Sequence, residues 1–157
     1  MDDRLGEVDF SVEADLVAMS VECYTARRSY EIASRFRAKG AKVVLGGFHV
    51  KLAPEEASSY ADAIILGDGE TTWPQLVDDL EAGSLKPAYV GKGGSFCPLP
   101  DRGLYAGRNY GYLNLVETSR GCSFDCEFCS VTKFFGRRYT PRPLGEVMNE
   151  VRSLSKD

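Results

Sequence analysis

The sequence predicts an α/β fold built on a doubly wound parallel sheet, followed by a second, shorter strand–loop–helix unit. Three observations carry that expectation. Short apolar runs alternate with helix-length amphipathic segments. Each run exits into a glycine-bearing loop, at Gly46-Gly47 and at Gly67-Asp68-Gly69-Glu70. A cysteine-rich loop then appears late in the chain, beyond a Gly- and Pro-rich stretch.

Taken in order, residues 1–14 are acidic and weakly patterned and read as a connecting segment. Asp15 to Val21 holds a short apolar run rather than a strict alternation, as expected of a buried parallel strand. Thr25 is placed to cap a helix reaching about Lys39, with Tyr30, Ala33 and Phe36 inward and Glu31 paired with Arg35 outside. Gly40 ends it. Lys42 to Leu45 is a second strand, and Pro54 opens a short helix through Tyr60. Ala63 to Leu66 is a third strand. Thr72 with Gln75 forms a capping-box pattern for a helix carrying Leu76, Val77 and Leu80, closed by Gly83.

Ligands in such sheets bind beyond the carboxyl ends of the strands. Those ends are Ser20, Gly46-Gly47 and the loop from Gly67 to Glu70. Glycines there either make tight turns or let a bulky ligand approach the backbone, and the residues alone leave both readings open. From Ser84 to about Asn109 the composition turns to Gly and Pro, which reads as a linker. Gly91-Lys92-Gly93-Gly94-Ser95 lacks the spacing of a phosphate loop. Cys23 and Cys97 read as lone packed thiols.

A strand from Tyr112 to Thr118 is expected to deliver Glu117-Thr118-Ser119-Arg120-Gly121-Cys122-Ser123-Phe124-Asp125-Cys126-Glu127-Phe128-Cys129. Its C-x3-C-x2-C run supplies three thiolates, enough for three corners of an iron–sulfur cube and one short of a closed four-ligand site. A structural zinc site would need a second ligand pair, and the only histidine, His49, is distant in sequence. Five cysteines, an odd count, with no signal peptide argue against a disulfide framework. Lys133, Arg137, Arg138 and Arg142 follow as a basic group that is either solvated or meets an anionic ligand. Leu144, Val147, Met148, Val151 and Leu154 recur at helical spacing, so a final helix through about Ser155 is expected to pack its apolar face on the strand, with Met148 in the core.

The cysteine run, with Arg120-Gly121 before it and Phe128 just ahead of Cys129, resembles the cluster motif of the radical S-adenosylmethionine superfamily. The resemblance implies that Cys122, Cys126 and Cys129 ligate a 4Fe-4S cluster whose open iron chelates S-adenosylmethionine, and that Phe128 flanks the adenine. In that family an electron from the cluster cleaves the sulfonium and releases a 5'-deoxyadenosyl radical. Leu45-Gly46-Gly47-Phe48-His49-Val50, Pro54-Glu55-Glu56 and the run from Ala61 to Glu70 look like the later half of a Rossmann-like cobalamin-binding domain. The class of these enzymes that binds cobalamin carries such a domain. This second resemblance places Ser20, Gly46, Gly47, Gly67, Gly69 and Glu70 around a cobalamin. The Asp-x-His-x-x-Gly loop that ligates cobalt in base-off members is absent, and His49 reads as a loop residue near the pocket mouth.

Together these imply a piece of a cobalamin-dependent radical enzyme. Residues 1–83 would be the later part of the cobalamin-type domain, 84–110 the linker, and 111–157 the first βα unit of a (β/α) barrel. The implied reaction is methylation or a related modification of an unactivated carbon on a small-molecule or lipid-like substrate. Its electron donor would be of flavodoxin or ferredoxin type. A non-catalytic iron–sulfur module and a cobalamin-free radical enzyme are the alternatives. Composition places the chain among soluble globular proteins, and a cytoplasmic one is expected. Lys and Arg total 19 against 23 acidic residues, a net charge of −4, so nucleic acid is not an indicated partner. No apolar run reaches the length of a transmembrane segment.

Overall fold

A computed structural model describes residues 5–93, 99–105, 107 and 114–154. The expectations for Cys97, for Tyr112 and Leu113, and for the end of the last helix at Ser155 lie outside the described residues. The elements run β1 (Leu16–Ser20), α1 (Ala26–Ala38), β2 (Lys42–Gly46), α2 (Phe48–Leu52), α3 (Pro54–Ser58), β3 (Ala63–Leu66), α4 (Trp73–Glu81) and β4 (Ala88–Val90). They continue with β5 (Ser119–Gly121), α5 (Ser130–Phe135), β6 (Tyr139–Pro141) and α6 (Leu144–Leu154).

The first four strands form one parallel sheet in the order β1-β2-β3-β4. The central strands β2 and β3 are covered on both faces, which explains why they read as apolar runs, whereas β1, expected to be buried on both faces, is an edge strand with Ala18 and Ser20 exposed. Val43, Leu45 and Ile64 point to the face packed by α1, α2 and α3, through Tyr30, Ala33, Phe36, Val50 and Ala57. Val44, Ala63 and Ile65 point to the opposite face, where Leu76 of α4 and Tyr89 pack. Helices therefore lie on both sides, as the doubly wound expectation requires.

Several local expectations need correcting. Thr25 and Thr72 do stand at the starts of α1 and α4, but neither hydroxyl caps its helix. Thr25 Oγ1 exchanges hydrogen bonds with the backbone of Glu22, and Thr72 Oγ1 donates to the Gly69 carbonyl at 3.1 Å. Glu31 pairs with Arg27 and Arg28, whereas Arg35 lies over the Phe10 ring, 3.4 Å from its centroid. The segment read as linker contributes β4, whose register joins Ile64–Leu66 to Ala88–Val90.

The second unit differs more. Residues 114–118 form no ladder, and pairing begins only at β5, which lies antiparallel to β6. The helix α6 is turned from its expected orientation, and of the expected apolar face only Val147 and Leu154 are half-buried. Leu144, Met148 and Val151 are exposed, so Met148 is not a core residue, and the fully buried member of the helix is Glu150. Two guanidiniums account for this. Arg102 Nη2 donates to Glu150 Oε1 at 2.6 Å, and Arg142 Nη1 donates to Oε2. The same arginines donate to the carbonyls of Leu115 and Glu117. A buried carboxylate is tolerated only when paired and hydrogen-bonded, and here it joins α6, β6, residues 115–117 and the turn at Arg102.

The Glu150 carboxyl is held below its ordinary value of 4.5 by the bonds from Arg102 and Arg142, in that order. A depressed folded-state value contributes stability above the unfolded value, and that stability is lost as pH falls through the folded one. Glu150→Ala is expected to cost about 3 kcal/mol in urea unfolding at pH 7, because it strands two charges. The wild type is expected to converge on the variant as the pH is lowered below about 4.5.

Candidate functional site: a crevice at the strand exits

Adjacent strands whose connections leave on opposite faces open a crevice between their carboxyl ends. Here β2 exits toward α2 on one face and β3 exits toward α4 on the other. A cavity of about 540 Å³ sits beside this switch. Its sheet side is formed by Lys51, Gly67, Asp68, Gly91 and Gly93. Its other side comes from the cysteine-bearing unit, through Arg120, Phe134, Phe135, Arg138, Tyr139 and Thr140.

Two clamps dock that unit on the sheet. The first is ionic. Arg120 Nη2 donates to Glu70 Oε1 at 2.5 Å and its Nε donates to Glu117 Oε1 at 2.8 Å. Its Nη1 lies 3.4 Å from Asp68 Oδ1. The bonds from Glu117 and then Glu70 raise the Arg120 pKa further, so the guanidinium stays charged throughout. The second clamp is aromatic. Phe48 of α2 stacks on Phe134 with centroids 4.2 Å apart and meets Phe135 edge-on at 6.0 Å. Lys51 Nζ donates to the Phe134 carbonyl and sits 4.7 Å from the centre of its ring.

The three cysteines lie directly beyond the ionic clamp. Gly121 has φ +78°, and a Cβ there would collide with the Arg138 carbonyl oxygen. Only glycine allows β5 and β6 to approach so closely while turning the chain into Cys122. Cys129 precedes α5, and its amide donates to the Cys126 carbonyl at 3.0 Å, closing the loop. Asp125 within the loop pairs with Arg137. Cys122, Cys126 and Cys129 are free thiols, Cys126 exposed and the other two partly so. Phe128 is 93% exposed. The donor set suits an iron–sulfur cluster, with three free thiols on one short loop. The loop geometry does not gather them: among the described residues no three Cys, His, Asp or Glu side chains converge as metal ligands.

The residues expected around a cobalamin are divided. Gly67 lines the crevice, but Ser20, Gly46 and Gly47 sit at the neighbouring exits of β1 and β2. Gly47 has φ +98°, and its missing Cβ leaves room for Ser20 Oγ at 2.9 Å and Val21 N at 2.8 Å, so close packing alone requires a glycine there. Space around Gly69 is open, and Glu70 is engaged by Arg120. His49 is not in the crevice lining. It lies on α2 with Nε2 3.3 Å from Glu56 Oε1. Cys23 is exposed rather than packed.

The basic group separates into distinct roles. Arg142 is buried against Glu150, Arg137 pairs with Asp125, Lys133 is exposed, and Arg138 lines the crevice. Sequence reasoning missed Lys51, Phe134 and Phe135, and it placed Asp68 in a ligand-binding loop without giving it a role. The adjacent Phe134-Phe135 pair and the acidic spacing of Asp68 and Glu70 were the signals available.

No protein-family model matches the chain. It is 32% identical over 149 residues to a bacteriochlorophyllide d C-8(2)-methyltransferase of Chlorobaculum tepidum, covering 85% of this chain and 32% of that protein. It is 28% identical to the bacteriochlorophyllide d C-12(1)-methyltransferase of the same organism, covering 98% of this chain and 36% of that protein. An anaerobic magnesium-protoporphyrin IX monomethyl ester cyclase of Rubrivivax gelatinosus is 27% identical, covering 99% of this chain and 34% of that protein. The chain thus spans about a third of the length of these relatives. Their names describe enzymes that alter carbon centres of tetrapyrroles, and the relationship supports the radical S-adenosylmethionine superfamily suggested by the cysteine loop. Among the described residues no helix is long and apolar enough to cross a membrane.

Arg120→Ala removes the ionic clamp and leaves Asp68 and Glu70 without their shared cation. Hydrogen exchange is expected to accelerate about tenfold or more across residues 119–129 while β2 and β3 keep their protection. Gly121→Ala is expected to accelerate the same amides, because the added Cβ cannot coexist with the β5–β6 pairing.

Proposed function

We propose that this chain is part of a radical S-adenosylmethionine enzyme in which Cys122, Cys126 and Cys129 hold a 4Fe-4S cluster at the mouth of the crevice beyond β3 and β4. The observation that carries this reading is the docking of the cysteine loop. The residue two places before Cys122 is fixed by carboxylates from the loop after β3, where a parallel sheet binds its ligands. When bound, the cluster would supply the electron that cleaves S-adenosylmethionine to a carbon-centred radical.

The chain's own residues then have definable tasks. Arg120 sets the approach of the loop to the sheet. Gly121 permits the turn into Cys122. Phe128, fully open to an incoming molecule, offers an aromatic face for the adenine. Phe134 and Phe135 shield one wall of the crevice from water. The product would be a methylated or otherwise remodelled carbon framework, the chemistry named for the relatives, which include both methyltransferases and a cyclase.

A cobalamin is the finer part of the proposal. Ser20, Gly46 and Gly47 at the exits of β1 and β2, with Gly67, Gly69 and Glu70 after β3, are the residues that would hold it. The glycine-bearing exits and the parallel sheet support this, while Gly47 is accounted for by its packing on Ser20 and Val21 alone.

Anaerobic reconstitution with iron and sulfide, followed by EPR of the reduced protein, tests the cluster. The expected result is a reduced-cluster signal that changes when S-adenosylmethionine is added and disappears in Cys126→Ala. Zinc retention without iron, or a signal indifferent to the variant, would overturn the assignment.

A further inference from the structure

We propose that the crevice beyond β3 and β4 takes an anionic aromatic ligand, its carboxylate or phosphate held between Lys51 and Arg138 and its rings against Phe134, Phe135 and Tyr139. The inference deepens the proposed function by giving the substrate a chemical class, and it rests on reading the crevice as the ligand site. It requires neither the cluster nor S-adenosylmethionine.

Charge is the first argument. The chain carries a net charge of −4, yet its crevice is lined by Lys51, Arg120 and Arg138 against a single carboxylate, Asp68. Arg120 is already balanced by Asp68, Glu70 and Glu117. Lys51 and Arg138 are not balanced. Among the described residues Arg138 has no ion pair. Lys51 meets only the carbonyl and the ring of Phe134, so two of its three ammonium protons remain to be donated. Two cations facing one concavity repel each other unless an anion lies between them, and an oxyanion accepts from both.

Shape is the second argument. Scattered surface lysines and arginines are ordinarily just solvated, but these two share a cavity of about 540 Å³. That volume lies within the range of small-molecule sites, about 300–1,000 Å³. The floor is backbone at Gly67, Gly91 and Gly93, where Gly91 lies so close to Asp68 that a Cβ would collide with its carbonyl, and the wall is aromatic. A flat, ring-bearing molecule with a negatively charged arm satisfies both the wall and the cations. A corrin does so less well, since its side arms end in uncharged amides.

Two sources share this chemistry: a carboxylated tetrapyrrole and a nucleotide. Titration of the unreconstituted protein separates them, using deuteroporphyrin IX and its dimethyl ester, followed by porphyrin fluorescence, and ADP, followed by calorimetry. Tighter binding of the diacid than of the ester, weakened about tenfold by Arg138→Gln or Lys51→Met and unaffected by Lys133→Gln, supports a tetrapyrrole carboxylate. The same dependence for ADP supports a nucleotide. Equal binding of diacid and ester together with no ADP binding, or affinities that ignore Arg138→Gln, overturns the proposal. Because no iron is added, these outcomes are independent of whether the cysteines hold a cluster.

Discussion

The guanidinium of Arg120, set among Asp68, Glu70 and Glu117, is the interaction on which the arrangement of the two units depends. It is largely buried, and each of its carboxylates comes from a segment with a separate reason to be where it is. Asp68 and Glu70 stand on the loop that leaves β3, and Glu117 lies on the strand-like approach to the cysteines. Charge-assisted bonds of this kind contribute roughly 1.5–3 kcal/mol each when their geometry is fixed. Their larger effect is directional: a planar fork with fixed donors sets an orientation that apolar contact alone would leave loose.

The aromatic clamp complements it from the other side of the crevice. Phe48 projects from the helix that follows Gly46-Gly47, so the loop after β2 and the loop after β3 each hold one edge of the cysteine-bearing unit. The cavity is the space left between the two attachments. Its location therefore follows from the change of helix face after β2 and β3, and its chemistry from the segment laid across it. The buried Glu150 node performs a similar task for α6 and the approach to β5, using charge where the sequence pattern suggests an apolar face.

Much of the sheet was legible from the chain. Ala63 to Leu66 is a four-residue apolar run between turn residues, the form a strand buried on both faces takes. β4 was not legible because Ala88-Tyr89-Val90 is too short to show a pattern and lies within a Gly- and Pro-rich stretch. The orientation of α6 departs from its apolar pattern for a physical reason. Periodicity reports which face of a helix is apolar, but Glu150 is held by Arg142 just ahead of the helix and by Arg102 from 48 residues away, and the apolar pattern carries no trace of the second partner. The cysteine loop was the most legible feature chemically, since ligand type and spacing are local. The crevice was the least, because it is assembled from residues such as Lys51, Asp68, Arg120 and Phe134 that meet only in the folded chain.

Mössbauer spectroscopy of the protein reconstituted with ⁵⁷Fe, with and without S-adenosylmethionine, tests the central claim most directly because it counts iron environments. Three cysteine ligands on the docked loop predict a four-iron cluster in which one iron is distinguishable from the other three, and S-adenosylmethionine changes that one alone. A mononuclear iron spectrum, or a four-iron cluster whose sites all ignore S-adenosylmethionine, would contradict the account.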